Sequence, residues 1–354
     1  MKMGAPPGKR ELELTLLGPG YGESIVLHVG DGVWVVVDSC LDTDGVPQAL
    51  RYLESIGIVP AEAVDLIVAT HWHDDHIRGI AKLVERCKQA TFCCASVLCQ
   101  REFLAVSRAL EGHHLSVAGS GLREIHDTFA QLVTTRSKPL LALANRRIFV
   151  KGACQIWSLS PNDSNFLNFL KTIRNMLPEE GKSKARIPSL SPNRVAVALW
   201  IKVADVSVLL GSDLERHGWI EILQDTARPN AKASVFKVPH HGSENADEPE
   251  VWKQMLGLEP FAVLTPWRRG DLNLPNQRDV RRIRSYTTNA YATAKPGSTA
   301  LASTRKSRMV TRTIRESGIK LRRITMSRGA LRLRRRIGLQ TRWQVEMLGS
   351  ACHL

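Results

Sequence analysis

Thr70-His71-Trp72-His73-Asp74-Asp75-His76 gathers three imidazoles and three carboxylate-bearing or hydroxyl-bearing neighbours into seven consecutive positions. Neutral imidazole and carboxylate are the usual protein ligands of zinc and manganese. The residues before it, Ala63-Val64-Asp65-Leu66-Ile67-Val68-Ala69, read as a buried strand, and Ile77 to Lys88 has helical spacing after Gly79. The cluster therefore lies on a loop leaving a strand end, where α/β proteins place their chemistry. On extended chain His71 and His73 share a face, because side chains alternate with period two. Asp75 and His76, on the following turn, can face a second metal. A single His-x-His pair would more often be a solvated polar loop; the added Asp-His favours a metal site.

Outward from this stretch the chain alternates strands and helices. Glu11 to Leu17, Ser24 to Val29 and Val33 to Val37 read as strands, the last two joined by the hairpin signal Gly30-Asp31-Gly32. A helix over 47–57, a strand over 90–95 and a helix over 97–111 are expected. Gly112 to Gly121 is polar, and its His113 and His114, like His126 beyond it, read as loop histidines rather than ligands. Strands at 147–151 and 155–159 and a helix at 162–176 precede an exposed insertion at about 178–192. Strands at 194–203, 206–210, 234–238 and 261–265, with helices at 214–226 and 276–286, complete the pattern. Residues 287–307 read as a linker, and 331–336 with 342–348 as a terminal hairpin bearing arginines.

Two later strands end in polar residues that complement the first cluster. Leu209-Leu210-Gly211-Ser212-Asp213 offers a carboxylate able to bridge two cations; its ordinary alternative is a helix N-cap. Val238-Pro239-His240-His241-Gly242-Ser243 offers two successive imidazoles, of which one faces the metal if the strand pleat persists. His241 is the preferred ligand, and His240 the group that assists a developing oxyanion or a leaving group. Gly242 and Ser243 are placed on the substrate side, Gly242 because it permits a tight turn.

His71-x-His73-x-Asp75-His76 resembles the signature of the metallo-β-lactamase-fold hydrolases, bacterial relatives included. The resemblance implies an α/β fold, a four-layer αββα sandwich with a one- or two-metal site at the strand ends. It also implies that Asp38, ending the third strand, supports the metal loop from behind. The order of the Asn193, Asp213 and His240-His241 segments is similar to the hydrolase domain of bacterial DNA-uptake competence proteins (ComEC/Rec2-like) and to phosphocholine esterases, over about residues 10–285. Two departures stand out. Asn193 stands where most of the superfamily has a ligating histidine, and an amide is a poorer zinc ligand than imidazole. Leu272-Asn273-Leu274-Pro275 replaces a usual Gly-His-Pro.

The implied cofactors are two divalent metal ions, zinc or manganese, held by His71, His73, Asp75, His76, Asp213 and His241, one of them weakly if Asn193 is its ligand. The implied activity is a metal-dependent hydrolase, first a phosphodiesterase or nuclease using activated water, with Asp75 and His240 catalytic. The alternatives are hydrolysis of a carboxylic ester, lactone or thioester, and a catalytically weakened component that binds nucleic acid or protein.

The 354 residues suffice for one large domain or two smaller ones, and the expected division is a hydrolase domain over 1–285 and a basic extension over 286–354. The seven cysteines include no Cys-x-x-Cys pair, which argues against a disulfide framework or a zinc ribbon. No apolar run is long enough to cross a membrane and no signal peptide is evident, so a cytoplasmic location is expected. The net charge of +15 is unevenly placed: residues 268–354 hold 21 Lys and Arg against 4 Asp and Glu, leaving 28 against 30 before them. This asymmetry favours an anionic partner, with nucleic acid bound through the basic C-terminal region; the other reading is a solvated charged tail.

Overall fold

The computed structural model describes residues 4–18, 22–100, 103–104, 119–176, 192–269, 272–297, 329–339 and 341–354. In chain order the strands are β1 (Glu11–Gly18), β2 (Ser24–Val29), β3 (Trp34–Val37), β4 (Val64–Ala69), β5 (Thr91–Ala95) and β6 (Leu140–Ala142). They continue with β7 (Arg146–Lys151), β8 (Cys154–Ser158), β9 (Leu199–Val203), β10 (Val206–Leu210), β11 (Ala233–Lys237) and β12 (Leu256–Leu264). The last are β13 (Trp267–Arg269), β14 (Leu272–Leu274), β15 (Ala290–Ala292), β16 (Gly329–Arg336), β17 (Gln344–Gly349) and β18 (Cys352–His353).

These strands form two eight-stranded sheets, in the orders β17-β16-β1-β2-β3-β4-β5-β6 and β18-β15-β12-β11-β10-β9-β8-β7, with β13 and β14 as a separate hairpin. The sheets face each other. Leu12, Val26, Val36 and Ile67 of the first share one core with Ile201, Val208 and Val235 of the second. Strand alternation then sends the intervening residues outward. On β9, Leu199, Ile201 and Val203 enter the shared core, while Trp200 joins Leu209, Phe236, Trp219, Trp252 and Ile283 in an outer cluster. That outer layer comprises the helices Arg216–Gln224, Pro249–Gln254 and Gln277–Tyr286. The helices Gln48–Ser55, Ile80–Arg86 and Gly119–Thr134 contribute Leu50, Leu83 and Ile125 to the core on the other side. The result is the four-layer αββα sandwich that the resemblance implies.

Within each sheet a parallel block lies beside an antiparallel one: β3-β4-β5-β6 in the first and β10-β11-β12-β15 in the second. Parallel strands covered on both faces are near-continuous apolar runs, as in Val64-Asp65-Leu66-Ile67-Val68-Ala69. The blocks matter because their C-terminal ends supply the imidazoles and carboxylates of the cluster described below.

Several elements depart from expectation. Residues 122–134 are not a loop: Leu122, Ile125, Phe129 and Leu132 recur at helical spacing and lie on the helix Gly119–Thr134, which carries His126. Asn193 and Arg194 occupy a 3-10 turn, Pro192–Val195, so the strand expected from 194 begins at Leu199. Pro249–Gln254 is an unforeseen helix, and β12 begins at Leu256 rather than 261. The expected linker contains β15, which pairs with β12. Most of the 97–111 helix, His113, His114 and residues 178–191 lie outside the described residues.

The described part of 286–354 enters both sheets. β16 pairs with β1 over its full length, β17 with β16, and β18 with β15. Arg332, Arg334 and Arg335 of β16 meet partners within the fold, while Arg336 at its end is exposed. Arg334 Nε donates to Glu13 Oε2 at 2.6 Å, and Arg332 Nε donates to Tyr52 Oη at 3.1 Å. Tyr52 Oη in turn donates to Glu13 Oε1 at 2.5 Å, and Arg332 Nη1 reaches Glu346 Oε2 at 2.8 Å. Arg335 pairs with Asp205 at 3.2 Å. Burial and the Glu13 carboxylate push the Tyr52 phenol well up. Glu13 is fully buried, so its carboxylate survives there only through these donors.

Glu13→Leu should cost about 3 kcal/mol or more in chemical denaturation, since it removes the carboxylate that Arg334 and Tyr52 share; an unchanged midpoint would contradict this network. His28 provides a pH test. Its Nδ1 lies 2.7 Å from Glu11 O, and its Nε2 accepts from Gly32 N at 3.1 Å, so the ring is held neutral. Burial lowers its pKa from 6.5. The unfolded chain therefore takes the proton first, and this contribution is full above the unfolded value and is lost as pH falls below it. The slope of stability between about pH 7 and 5 should be shallower in His28→Gln than in the parent.

Candidate metal centre

The polar ends of five parallel strands meet at one edge of the sandwich. β3 delivers Asp38, β4 delivers Thr70 to His76, β10 delivers Ser212 and Asp213, β11 delivers His240 and His241, and β12 delivers Thr265. Four of these residues leave their strands in the left-handed region: Asp38 (φ 59°), Ser212 (47°), His240 (46°) and His241 (54°). Each such conformation costs a side-chain-bearing residue about 1–2 kcal/mol, and non-glycine residues held there cluster at functional sites.

Three imidazoles are gripped from behind at Nδ1. His76 Nδ1 lies 2.8 Å from Asp38 Oδ2. The same Asp38 carboxylate accepts from Thr70 N and from Thr70 Oγ1, each at 2.8 Å. His71 Nδ1 is 3.0 Å from Thr70 Oγ1, which also accepts from Ser212 Oγ at 2.7 Å. His241 Nδ1 lies 3.0 Å from Thr265 O. A carboxylate, hydroxyl or carbonyl on one ring nitrogen fixes the ring and turns the other toward a ligand.

The freed Nε2 atoms converge. Asp75, His76, Asp213 and His241 offer ligand atoms all within 4.8 Å of one another, and so do His71, His73 and Asp213. Asp213 belongs to both groups, the arrangement a carboxylate shared by two cations requires. His241 Nε2 is 3.1 Å from Asp75 Oδ2, and His71 Nε2 is 3.8 Å from Asp213 Oδ2. His76 Nε2 approaches Asp213 Oδ1 to 3.2 Å but off the hydrogen-bond direction, so both atoms, like His71 Nε2, are buried without a hydrogen bond. Buried polar atoms are rarely left so. The donor set, all imidazole nitrogen and carboxylate oxygen, fits zinc or manganese.

Electrostatics agree with that fit. Burial alone would drive each group to its neutral form. At His76 burial acts downward, yet Asp213 and Glu23 outweigh it and hold the pKa well above the ordinary range. His241 is raised against burial by Asp213 and Asp75. Asp213 is held well below the usual carboxylate range despite burial, by His76 and His241. His71 moves the other way, lowered by burial and then by His76. The pocket favours positive charge.

All six residues expected to hold metal are thus brought together. His240 is not in either group. It sits half-buried at the rim, its Nδ1 3.0 Å from Asn245 Oδ1 and its Nε2 3.4 Å from Asn193 Nδ2. The pleat argument for the pair fails, because β11 ends at Lys237 and His240–Gly242 forms a left-handed turn. Asn193 is buried beside His240, with Oδ1 lacking a hydrogen bond. Gly242 turns the chain at φ 81°; a Cβ there would meet Ile283 at 3.0 Å and Leu264 at 3.2 Å, and its carbonyl accepts from Arg282 Nη2 at 2.7 Å. Ser243 follows at the start of a short turn, donating its N–H to His240 O at 3.0 Å.

Sequence reading missed Glu23, Lys237, Thr265 and Trp267. Glu23 and Lys237 form a fully buried ion pair against the cluster, and Thr265 Oγ1 donates to Glu23. Gly22 makes room for this: a Cβ would fall 2.6 Å from Asp75 O, to which Glu23 N donates at 2.8 Å. Trp267, on the hairpin β13–β14, stacks over His241 with ring centres 6.1 Å apart and planes at 19°. Strand parity was a signal for Lys237: it shares the inward face with Val235, where an apolar residue is expected.

Residues 17–117 match the family model described as Metallo-beta-lactamase superfamily. The ComE operon protein 3 of Bacillus subtilis is 29% identical over 108 residues, which are 30% of this chain and 13% of that protein. The chain thus matches only about an eighth of that relative. Among solved structures, the metallo-beta-lactamase fold protein YhfI of Bacillus subtilis is 14% identical, over 64% of this chain and 70% of that one, with a TM-score of 0.34. The hydrolase AbOPH of the beta lactamase superfamily is also 14% identical, over 60% and 75%, with a TM-score of 0.37. No described helix is long and apolar enough to cross a membrane.

Competition against a chromogenic chelator should show zinc or manganese binding, weakened roughly 10- to 100-fold in Asp38→Ala and unchanged in His126→Ala. Equal affinity in parent and Asp38→Ala would refute the role given to the groups behind the imidazoles.

Proposed function

We propose that this chain, built on the metallo-β-lactamase sandwich, is a metal-dependent hydrolase of phosphodiesters, nucleic acid among them. The observation that carries the reading is the pair of ligand groups sharing Asp213. Divalent cations held there would supply Lewis acidity toward phosphoryl oxygens and activate water near neutral pH. The chain's own residues do the rest. Asp75, with 9% of its side chain exposed against 2–4% for Asp38 and Asp213, is the carboxylate turned toward the mouth. His240, anchored through Nδ1 on Asn245, presents Nε2 at the rim, where it can give a proton to a leaving group. Trp267 offers an aromatic face beside His241 for the organic part of a substrate.

A second reading, hydrolysis of a carboxylic ester, lactone or thioester, is favoured by one observation. Arg332, Arg334 and Arg335 of the basic C-terminal region are engaged by Glu13, Glu346 and Asp205, so their charge is largely balanced within the fold.

The deciding assay uses bis-p-nitrophenyl phosphate and single- and double-stranded nucleic acids, with manganese or zinc. Activity should fall by roughly three orders of magnitude in Asp75→Asn and Asp213→Asn and should weaken with added salt. Undiminished turnover in both variants would refute the proposal. Salt-insensitive ester or lactone hydrolysis with no phosphodiesterase activity would select the second reading.

A further inference from the structure

Four carboxylates converge behind and within the cluster: Glu23, Asp38, Asp75 and Asp213, each with under a tenth of its side chain exposed. Among the described residues their ion-pair partners are histidines and a single ammonium, Lys237. Burying so much negative charge without compensation is costly. Lys237 Nζ pairs with Glu23 Oε1, donates to Ser212 O at 3.0 Å and lies 3.9 Å from Asp213 Oδ1. The Ser212 carbonyl also accepts from His240 N at 3.0 Å, and Ser212 itself is in the left-handed region. Glu23, held from its other oxygen by Thr265, lies 3.7 Å from His76 Nδ1 and 3.9 Å from His241 Nδ1. The pair therefore touches, directly or through one residue, both the turn that aims Asp213 and the backs of two imidazoles.

We infer that Lys237 is a positioning residue, an internal counter-charge that keeps the carboxylates of the cluster assembled in the metal-free chain and pins the Ser212–Asp213 turn in its binding geometry. The geometry has two consequences. Part of the charge that cations would balance is already balanced by the chain, so the cluster does not have to be built by the metal. The contribution of Lys237 to stability is greatest when metal is absent. The second consequence rests on the metal reading proposed above; the first does not.

Thermal unfolding with chelator, and again with saturating manganese or zinc, tests this on Lys237→Met and on the double variant Glu23→Gln/Lys237→Met, which removes both charges while keeping shape. With chelator, Lys237→Met should melt about 10 °C below the parent, and the double variant should recover at least half of that loss. With metal, the gap between Lys237→Met and the parent should shrink to less than half. Should Lys237→Met fail to fold, a folded double variant supports the inference, and a double variant that also fails to fold overturns it. Where metal raises the parent's melting, an equal loss with and without it overturns the inference, and no recovery in the double variant overturns it in every case. If metal leaves the parent's melting unchanged, the metal reading fails, while the chelator comparison still decides whether Lys237 balances the carboxylates.

Discussion

Each imidazole whose Nε2 joins the inner cluster from a buried position is held at Nδ1 by an oxygen, and the rest of the site depends on that grip. Asp38, Thr70 and Thr265 are the three anchors, and all lie at or just past the ends of parallel strands. A strand end is a place where backbone direction is fixed while side chains are free of the ladder. Fixing ring nitrogens there sets the direction of the opposite nitrogens without any help from a bound group. The strained backbone at Asp38, Ser212, His240 and His241 is the cost of that aim, and the two packed sheets supply the rigidity that tolerates it.

Much of this is legible in the sequence. The strand Val64–Ala69 and the six clustered residues were readable because apolar runs and ligand-type residues at strand ends are local signals. The sandwich followed from the resemblance that those residues carry. What escaped reading was non-local. Glu23 gives no sign in the sequence of meeting Lys237, more than two hundred positions later, and a lone lysine at an inward position of a short strand is easily read as an irregularity. For the His240–His241 pair the expected division stands, His241 within the cluster and His240 outside it, but its reason is the left-handed turn beyond β11 and not strand alternation. Gly242 lies in that turn at φ 81°, as the tight-turn argument expects, and a Cβ there would also press on Ile283 and Leu264.

Charge composition pointed in a direction that the packing qualifies. The basic excess beyond residue 268 suggested a patch for an anionic partner. Three arginines of β16 instead meet Glu13, Glu346 and Asp205, and Arg282 meets Asp279 and Asp247. A count of formal charges overstates the field where guanidinium groups serve as struts, and a buried Glu13 makes that service obligatory.

The place of β16 has a bearing on how the molecule is made. Because β1 is flanked by β2 on one side and by β16 on the other, it waits through the synthesis of all the chain between Gly18 and Gly329 before its second neighbour exists. Until then β1 presents an open apolar edge, the state most exposed to pairing with the wrong chain. Formation of the β1–β16 ladder thus closes an edge that stands open while the intervening chain is made.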